Sequence, residues 1–243
     1  MDDTIRLNKY LADMGVCSRR EADRLIESGV VKVNDQPAIM GQKIGGDDVV
    51  TVKGKTIGKA KDTATVKRVL LAVNKPVGVV CTTVDKDRAP NIVDMVDYPE
   101  RIYPIGRLDK DSCGLILMTN DGDLVNRIAK ASGNHEKEYI VKVDKIITYG
   151  FIEKLQKGVK LTELNTTTRP CKAEKIDDKT FRIILTQGLN RQIRRMCSEL
   201  GYEVTSLQRV RIMNIELGHL NEGTFRRVKG PELSTLEKQL GRR

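Results

Sequence analysis

The 243-residue sequence has no tryptophan, three phenylalanines and six tyrosines, so aromatics make up 4% of it. That scarcity excludes the broad aromatic platforms on which single-stranded nucleic acids stack base after base. Two histidines are present, His135 and His219, and neither lies near a cysteine cluster. The five cysteines (Cys17, Cys81, Cys113, Cys171, Cys197) are odd in number and scattered, with no Cys-x-x-Cys pair. Zinc-ligand spacing is missing, so no metal is expected. The pattern fits buried thiols in a reducing cytoplasm. No apolar run approaches the ~18 residues of a membrane helix, and the acidic N-terminus lacks the apolar core of a signal peptide. Gly54-Lys55-Thr56 has the ending of a phosphate loop, but the glycine needed five residues earlier is Val49, which argues against a nucleotide site.

What is abundant is positive charge. The formal net charge is +10, a surplus that favours an anionic partner such as RNA, DNA or a membrane surface. It is unevenly spread. Residues 1–60 hold ten lysines and arginines against nine acids, leaving +9 of the surplus to the rest of the chain. Within the first part, Arg19, Arg20 and Arg24 cluster on one helix, either as a binding face or as a solvated face offset by Asp23 and Glu27.

Local signals divide the chain. Leu7, Tyr10 and Leu11 have helical spacing before Gly15, and Ser18-Arg19-Arg20-Glu21 is a capping box opening a second helix that ends near Gly29. Short strands follow at Val30–Val33 and Val49–Val52, with turns at Asn34-Asp35 and Gly45–Asp48. Residues 54–68 are polar and lysine-rich and read as a last hairpin edge plus a linker. Beyond them, Val69–Val73 and Val79–Thr83 suggest a hairpin around Asn74-Lys75-Pro76-Val77-Gly78. Leu115–Met118 reads as a buried strand, Asp121–Lys130 as a helix, and Glu138–Val143 and Phe181–Thr186 as strands. Val210–Leu217 and Thr224–Val228 suggest a late hairpin, and Pro231 opens a final helix with Leu233, Leu236 and Leu240 on one face. Segregated strands with flanking helices indicate an α+β fold.

Three constellations carry chemistry. Pro104–Gly114 puts Asp109 on a glycine-bracketed turn at the rim of a strand, between Arg107 and Lys110, cations expected to keep it ionised. Such a carboxylate can serve as a nucleophile, or the segment is simply a surface turn. Gln187–Cys197 runs from a strand through a glycine turn into a helix that Asn190 can cap. Ile193, Met196, Cys197 and Leu200 share one face, while Arg191, Arg194 and Arg195 fall opposite as a fork suited to phosphate or carboxylate. Lys137-Glu138-Tyr139 opens a strand on which Tyr139 could offer a ring face and a hydroxyl. His135 reads as a loop or cap residue and His219 as a turn residue.

Gly106-Arg107-Leu108-Asp109, Lys137-Glu138-Tyr139 and Asn190–Met196 together resemble the three motifs of bacterial ribosomal RNA pseudouridine synthases of the RsuA family. Arg6–Leu11, Cys17–Asp23 and Gly29–Asn34 resemble an S4 RNA-binding domain, which precedes the catalytic domain in that family. Asn74–Gly78 fits as well, and Ile102–Ile105 through Asp123–Asn126 with Val210–Asn214 look most like a large-subunit member. The resemblance covers nearly the whole chain in order. The lysine-rich tail found in such members is not expected here, because the sequence ends soon after its last helix.

The resemblance implies an S4 domain over residues 5–66 and, over 67–243, a catalytic domain with a mostly antiparallel mixed sheet flanked by helices. It implies a nucleophilic Asp109 acting on a flipped-out uridine, at ring C6, at sugar C1′ or through a glycal route. Arg194 is implied as its counter-ion and Tyr139 as the stacking partner. Arg107, Leu108, Lys110, Leu189, Asn190, Arg191 and Gln192, with Arg19 and Arg20 of the S4 part, are implied to contact RNA. The implied partner is 23S ribosomal RNA, or else transfer RNA, bound by a cytoplasmic monomer with no cofactor and no role for DNA or a membrane. A non-catalytic assembly factor would not need the Asp109 motif, and an S4-bearing tRNA ligase would need nucleotide-binding signatures that the sequence lacks.

Overall fold

The structure, a computed structural model, describes residues 4–82, 89–129 and 133–241. The chain divides into two units. One runs to Arg68 and includes Asn120–Gly122; the other comprises Val69–Thr119 and Asp123 onward.

The first unit contains β1 (Ile5–Arg6), α1 (Leu7–Asp13), α2 (Arg19–Glu27), β2 (Val31–Val33), β3 (Gln36–Pro37), β4 (Lys43–Ile44), β5 (Val49–Val52) and β6 (Lys55–Lys59). The apolar stripes of both helices share one core with the strands, through Leu7, Leu11, Ala22, Ile26, Val31 and Val50. Strands pair antiparallel in the order β3-β2-β5-β6. Asn34 and Asp35 both take positive φ, 48° and 66°, the mirror-image turn whose twist suits a two-residue hairpin. Ser18 Oγ accepts from the Glu21 amide at 3.1 Å, but the return half of the expected capping box is not made. Arg24 donates to the Glu21 carboxylate at 3.1 Å instead. The expected linker also holds structure. Residues Ala60–Thr65 form a 3-10 helix, because Asp62 accepts from the Lys59 amide at 2.7 Å while Thr63 and Thr65 bond back to carbonyls three residues earlier.

The second unit starts with β7 (Leu70–Lys75), α3 (Ile92–Val96), β8 (Tyr103–Ile105), β9 (Cys113–Thr119), α4 (Gly122–Ala129) and β10 (Lys137–Val143). It continues through α5 (Tyr149–Lys157), β11 (Lys160–Leu161), β12 (Thr166–Thr167), β13 (Lys172–Lys175) and β14 (Thr180–Leu185). It closes with α6 (Gln192–Glu199), β15 (Val204–Ile212), β16 (Ile215–Glu216), β17 (Phe225–Arg227) and α7 (Gly230–Gln239). A nine-stranded sheet runs β13-β14-β10-β15-β9-β7-β17, with β16 on β15 and β8 on β9. Within this sheet, among the described residues, β15 and β9 pair in parallel and the other neighbours antiparallel. The fold is α+β with a mostly antiparallel mixed sheet.

Two expected hairpins are rearranged. Residues after Gly78 do not return beside β7, whose neighbours are β9 and β17; Val80 makes a lone parallel bridge to Asn91. The Lys75 ammonium donates to the carbonyls of Pro76 and Val79, both at 2.8 Å, so the segment wraps around it rather than extending. Thr83 of that hairpin lies outside the described residues. The late hairpin forms between β15 and β16, while β17 pairs with β7. One flank of β15 is taken by β10, and the other by β9 and β16. Lys130, the expected end of α4, also lies outside the described residues.

Candidate active site

One row across the sheet organises the site. Tyr139 on β10 pairs with Arg209 on β15, and Arg209 pairs with Gly114 on β9. The Asp109 loop leads directly into β9, so the row brings two of the predicted motifs together. Only glycine fits at its end: a Cβ on Gly114 would lie 2.3 Å from the Arg209 carbonyl oxygen, and its φ is +99°. At the other end a bulge between Glu138 and Tyr139 shifts the register against β15, a device that re-aims a side chain. Tyr139 is half-buried and packs against the apolar clusters of both halves of the unit.

The Asp109 loop is fixed through its backbone. The Ser112 amide donates to the Asp109 carbonyl at 3.1 Å, and the Gly78 amide to the Lys110 carbonyl at 2.8 Å. The Leu108 amide donates to Cys81 Sγ at 3.4 Å. Asp109 itself stays 37% exposed, with Arg191 Nη1 4.0 Å from its carboxylate. Arg191 also lies 3.4 Å from the Asp111 carboxylate. Arg194, expected to be the counter-ion of Asp109, is not so placed. It donates to the carbonyls of Asp111 at 2.8 Å and Val204 at 3.1 Å, tying the loop to the start of β15. The cation beside Asp109 is Arg191.

The Gln187–Arg191 turn leads into α6, which buries Ile193, Met196 and Cys197 as its spacing predicts. Burial pushes the Cys197 thiol up to about 12, which makes it an inert core group. Of the five cysteines only Cys197 is fully buried; the others are half-buried, and none forms a disulfide. The helix is not capped by Asn190. Its first turn starts at Arg191, which takes a left-handed conformation, and Asn190 instead accepts from Arg195 through its carbonyl and side chain at 3.0 and 3.3 Å. Gln192 and Leu108, expected to touch RNA, are buried. Gln192 accepts from the Leu189 amide at 3.0 Å and so shapes the turn. Arg107 and Lys110 are exposed, as are Arg19 and Arg20 on the first unit's α2.

These elements enclose a cleft of about 340 Å³, lined by Asp109, Tyr139, Leu189, Asn190, Arg191 and Arg194 among others. Asp109 is its single acid among the described residues. Two cations of the lining, Lys137 and Arg209, are not among the site residues expected from the sequence. Strand alternation places Lys137 on the Tyr139 face of β10 and could have found it. Nothing local marks Arg209 as the buried arginine of β15. His135 also borders the cleft, its Nε2 3.1 Å from the Arg127 carbonyl oxygen. Among the described residues, no cluster of histidine, cysteine and acid side chains could hold a metal, and no helix is long and apolar enough to cross a membrane. The cleft offers a half-exposed carboxylate, a tyrosine and a surplus of donors, a combination suited to nucleophilic chemistry on an electronegative substrate.

Comparison with known proteins gives the setting. The profile of the RNA pseudouridylate synthase family matches residues 69–199, and that of the S4 domain matches 5–50. The chain is 52% identical to the dual-specificity RNA pseudouridine synthase RluF of Escherichia coli K12, over 98% of this chain and 80% of that one. It is 34% identical to the ribosomal large subunit pseudouridine synthase B of Bacillus subtilis, with 95% of each chain covered. A solved pseudouridylate synthase has the same fold, with a TM-score of 0.69 at 28% identity over 97% of this chain and 99% of that one.

Proposed function

Because the chain belongs to the RNA pseudouridine synthase family, in its RsuA branch with an N-terminal S4 domain, and is thus an RNA-modifying isomerase, we propose that Asp109 is its nucleophile and a uridine of 23S ribosomal RNA its substrate. The large-subunit label of the Bacillus relative supports that RNA; transfer RNA is the second candidate. The enzyme works in the cytoplasm as a monomer and needs no cofactor, since isomerisation exchanges no electrons or groups with a second reactant.

A uridine in structured RNA is stacked, so it must be turned out to react. The cleft receives the base, Tyr139 stacks on it, and the Asp109 carboxylate attacks at ring C6 or sugar C1′ or assists a glycal route. Arg191 keeps the carboxylate in place, and Arg194 holds the loop that carries it. The exposed Arg107 and Lys110 contact the phosphates beside the extruded nucleotide. Leu108, Leu189, Asn190 and Gln192 shape the rim, and Arg19 and Arg20 grip the RNA from the S4 domain.

The observation that carries this reading is the convergence of Asp109, Tyr139 and Arg191 on one cleft. Asp109→Asn keeps the shape of the side chain and removes its charge. It is expected to abolish pseudouridine formation in 23S RNA taken from cells lacking the enzyme, while RNA affinity and melting temperature stay unchanged. Full conversion by the variant would refute the assignment.

A further inference from the structure

Two cations in the cleft wall, Arg209 and Lys137, have no acid at ion-pair distance among the described residues. Arg209 is 3% exposed. Its Nε donates to the Leu115 carbonyl at 2.6 Å, and its Nη1 lies 3.5 Å from the Arg107 carbonyl oxygen. Its Nη2 is buried with no partner. Lys137 lines the same cleft, where burial and then the charge of Arg209 hold its ammonium below the ordinary lysine range. No hydrogen bond or ion pair engages the Lys137 ammonium among the described residues.

The local acids are turned away. Strand alternation sends Glu138 to the face opposite Lys137 and Tyr139. There Arg211 takes Glu138 at 2.7 Å and Glu136 at 3.0 Å. Asp109, the cleft's acid, has Arg191 beside it. Lysine and arginine only donate hydrogen bonds. A buried arginine and a half-buried lysine beside Tyr139, Leu207 and Ile212 therefore call for a flat, largely apolar ligand bearing acceptor oxygens, which describes a uracil ring better than a phosphate.

We propose that Lys137 donates to a carbonyl oxygen of the extruded uracil, and that the uncompensated charge of the buried Arg209 reinforces this contact as the ring becomes anionic. The proposal rests on the function argued above. When the N1–C1′ bond breaks, its electron pair passes to the ring and is shared by N1, O2 and O4, while the sugar carbon is captured by the Asp109 carboxylate or loses its 2′ proton to give the glycal. The ring pair then forms the C5–C1′ bond, any glycal regaining the 2′ proton. The C5 proton leaves, N1 takes one up, and the product is neutral. A fixed cation at the carbonyl oxygen favours the charged intermediate over the neutral substrate, which accelerates the step instead of merely tightening binding.

Lys137→Met removes the charge and keeps the length. It is to be compared with the unaltered chain in single-turnover conversion of a 23S or transfer RNA transcript that the unaltered chain converts. The rate constant is expected to fall on the order of 10²-fold to 10³-fold, with RNA affinity within about threefold of its original value. Lys137→Arg is expected to restore most of the rate. If Lys137→Met does not fold, Lys137→Gln is read in its place. An unchanged rate, or equal losses of rate and affinity with no rescue by arginine, overturns the proposal. Failure of the unaltered chain to convert either RNA would instead overturn the function on which it rests.

Discussion

Two turns frame the cleft and are held in different ways. The Asp109 turn is anchored by partners distant in sequence: Gly78, Cys81, Arg194 and Arg209 all reach its backbone or that of β9. The Gln187–Arg191 turn has its backbone held by near neighbours, its distant contacts running through side chains: Gln187 accepts from the Arg169 amide at 3.1 Å, and Arg191 meets Asp109 and Asp111. Gln192 supports Leu189 from three residues away, and Arg195 supports Asn190 from five. The long-range anchors hold a half-exposed acid against repositioning, whereas the local ones leave Arg191 exposed at the rim. A carboxylate that must meet a reacting atom needs fixing to a fraction of an ångström, while an exposed arginine beside it can adjust its reach.

The sharpest way to break this contrast is at Gly114, where the long-range anchoring of the first turn is steric. Gly114→Ala puts a methyl 2.3 Å from the Arg209 carbonyl oxygen at φ +99°. The row from Tyr139 to β9 must then open. Overpacking and left-handed strain together are expected to cost about 3 kcal/mol of stability, read by denaturant titration, and to abolish conversion. Unaltered stability would mean that β9 and β15 can part without cost and that the row does not set the site.

How much of this was legible follows the same contrast. Leu7, Tyr10 and Leu11, the buried run at Leu115–Met118 and the Ile193/Met196/Cys197 face are periodic, and periodicity records burial directly. The motif residues Asp109 and Tyr139 were found as motifs. Their meeting is implied by the resemblance alone, because it depends on β10, β15 and β9 lying side by side, a pairing between strands far apart in sequence that no local pattern shows. For the same reason no local pattern shows that Arg191, expected to contact RNA, lies beside Asp109, while Arg194, expected there, bonds the carbonyls of Asp111 and Val204. Both stand at the start of one helix, and which of them faces Asp109 depends on the left-handed Arg191 that opens α6. Arg209 was invisible because a buried arginine in a strand carries no local sign of burial. The hairpin assigned to Val69–Thr83 failed on a tertiary fact: Lys75 is buried and gathers the following carbonyls around its ammonium.

An intermediate effect tests whether the long-range anchors matter electrostatically or only geometrically. Arg194 bridges the Asp111 and Val204 carbonyls, at 2.8 and 3.1 Å. Arg194→Lys keeps the charge but loses the fork that spans both. The variant is expected to lose roughly 1–2 kcal/mol of stability and on the order of 10-fold to 10²-fold in rate, with RNA affinity little changed. Retention of the full rate would show that charge alone suffices and that the Asp109 loop does not need bridging to β15.

The smallest effect belongs to the locally held turn. Arg195 pairs with Glu163 on the far side of α6, and Glu163 is 75% exposed. Arg195 also holds Asn190 through its Nε. An exposed ion pair stabilises little, because water screens it and two long side chains must be ordered to make it. Arg195→Ala is therefore expected to cost about 0.5 kcal/mol, and the coupling to Glu163→Gln in a double-mutant cycle to be no larger. Conversion should fall less than about threefold, since the Leu189 amide is still held by Gln192. A loss as large as that at Arg194 would place Arg195 among the anchors of the site and remove the distinction between the two turns.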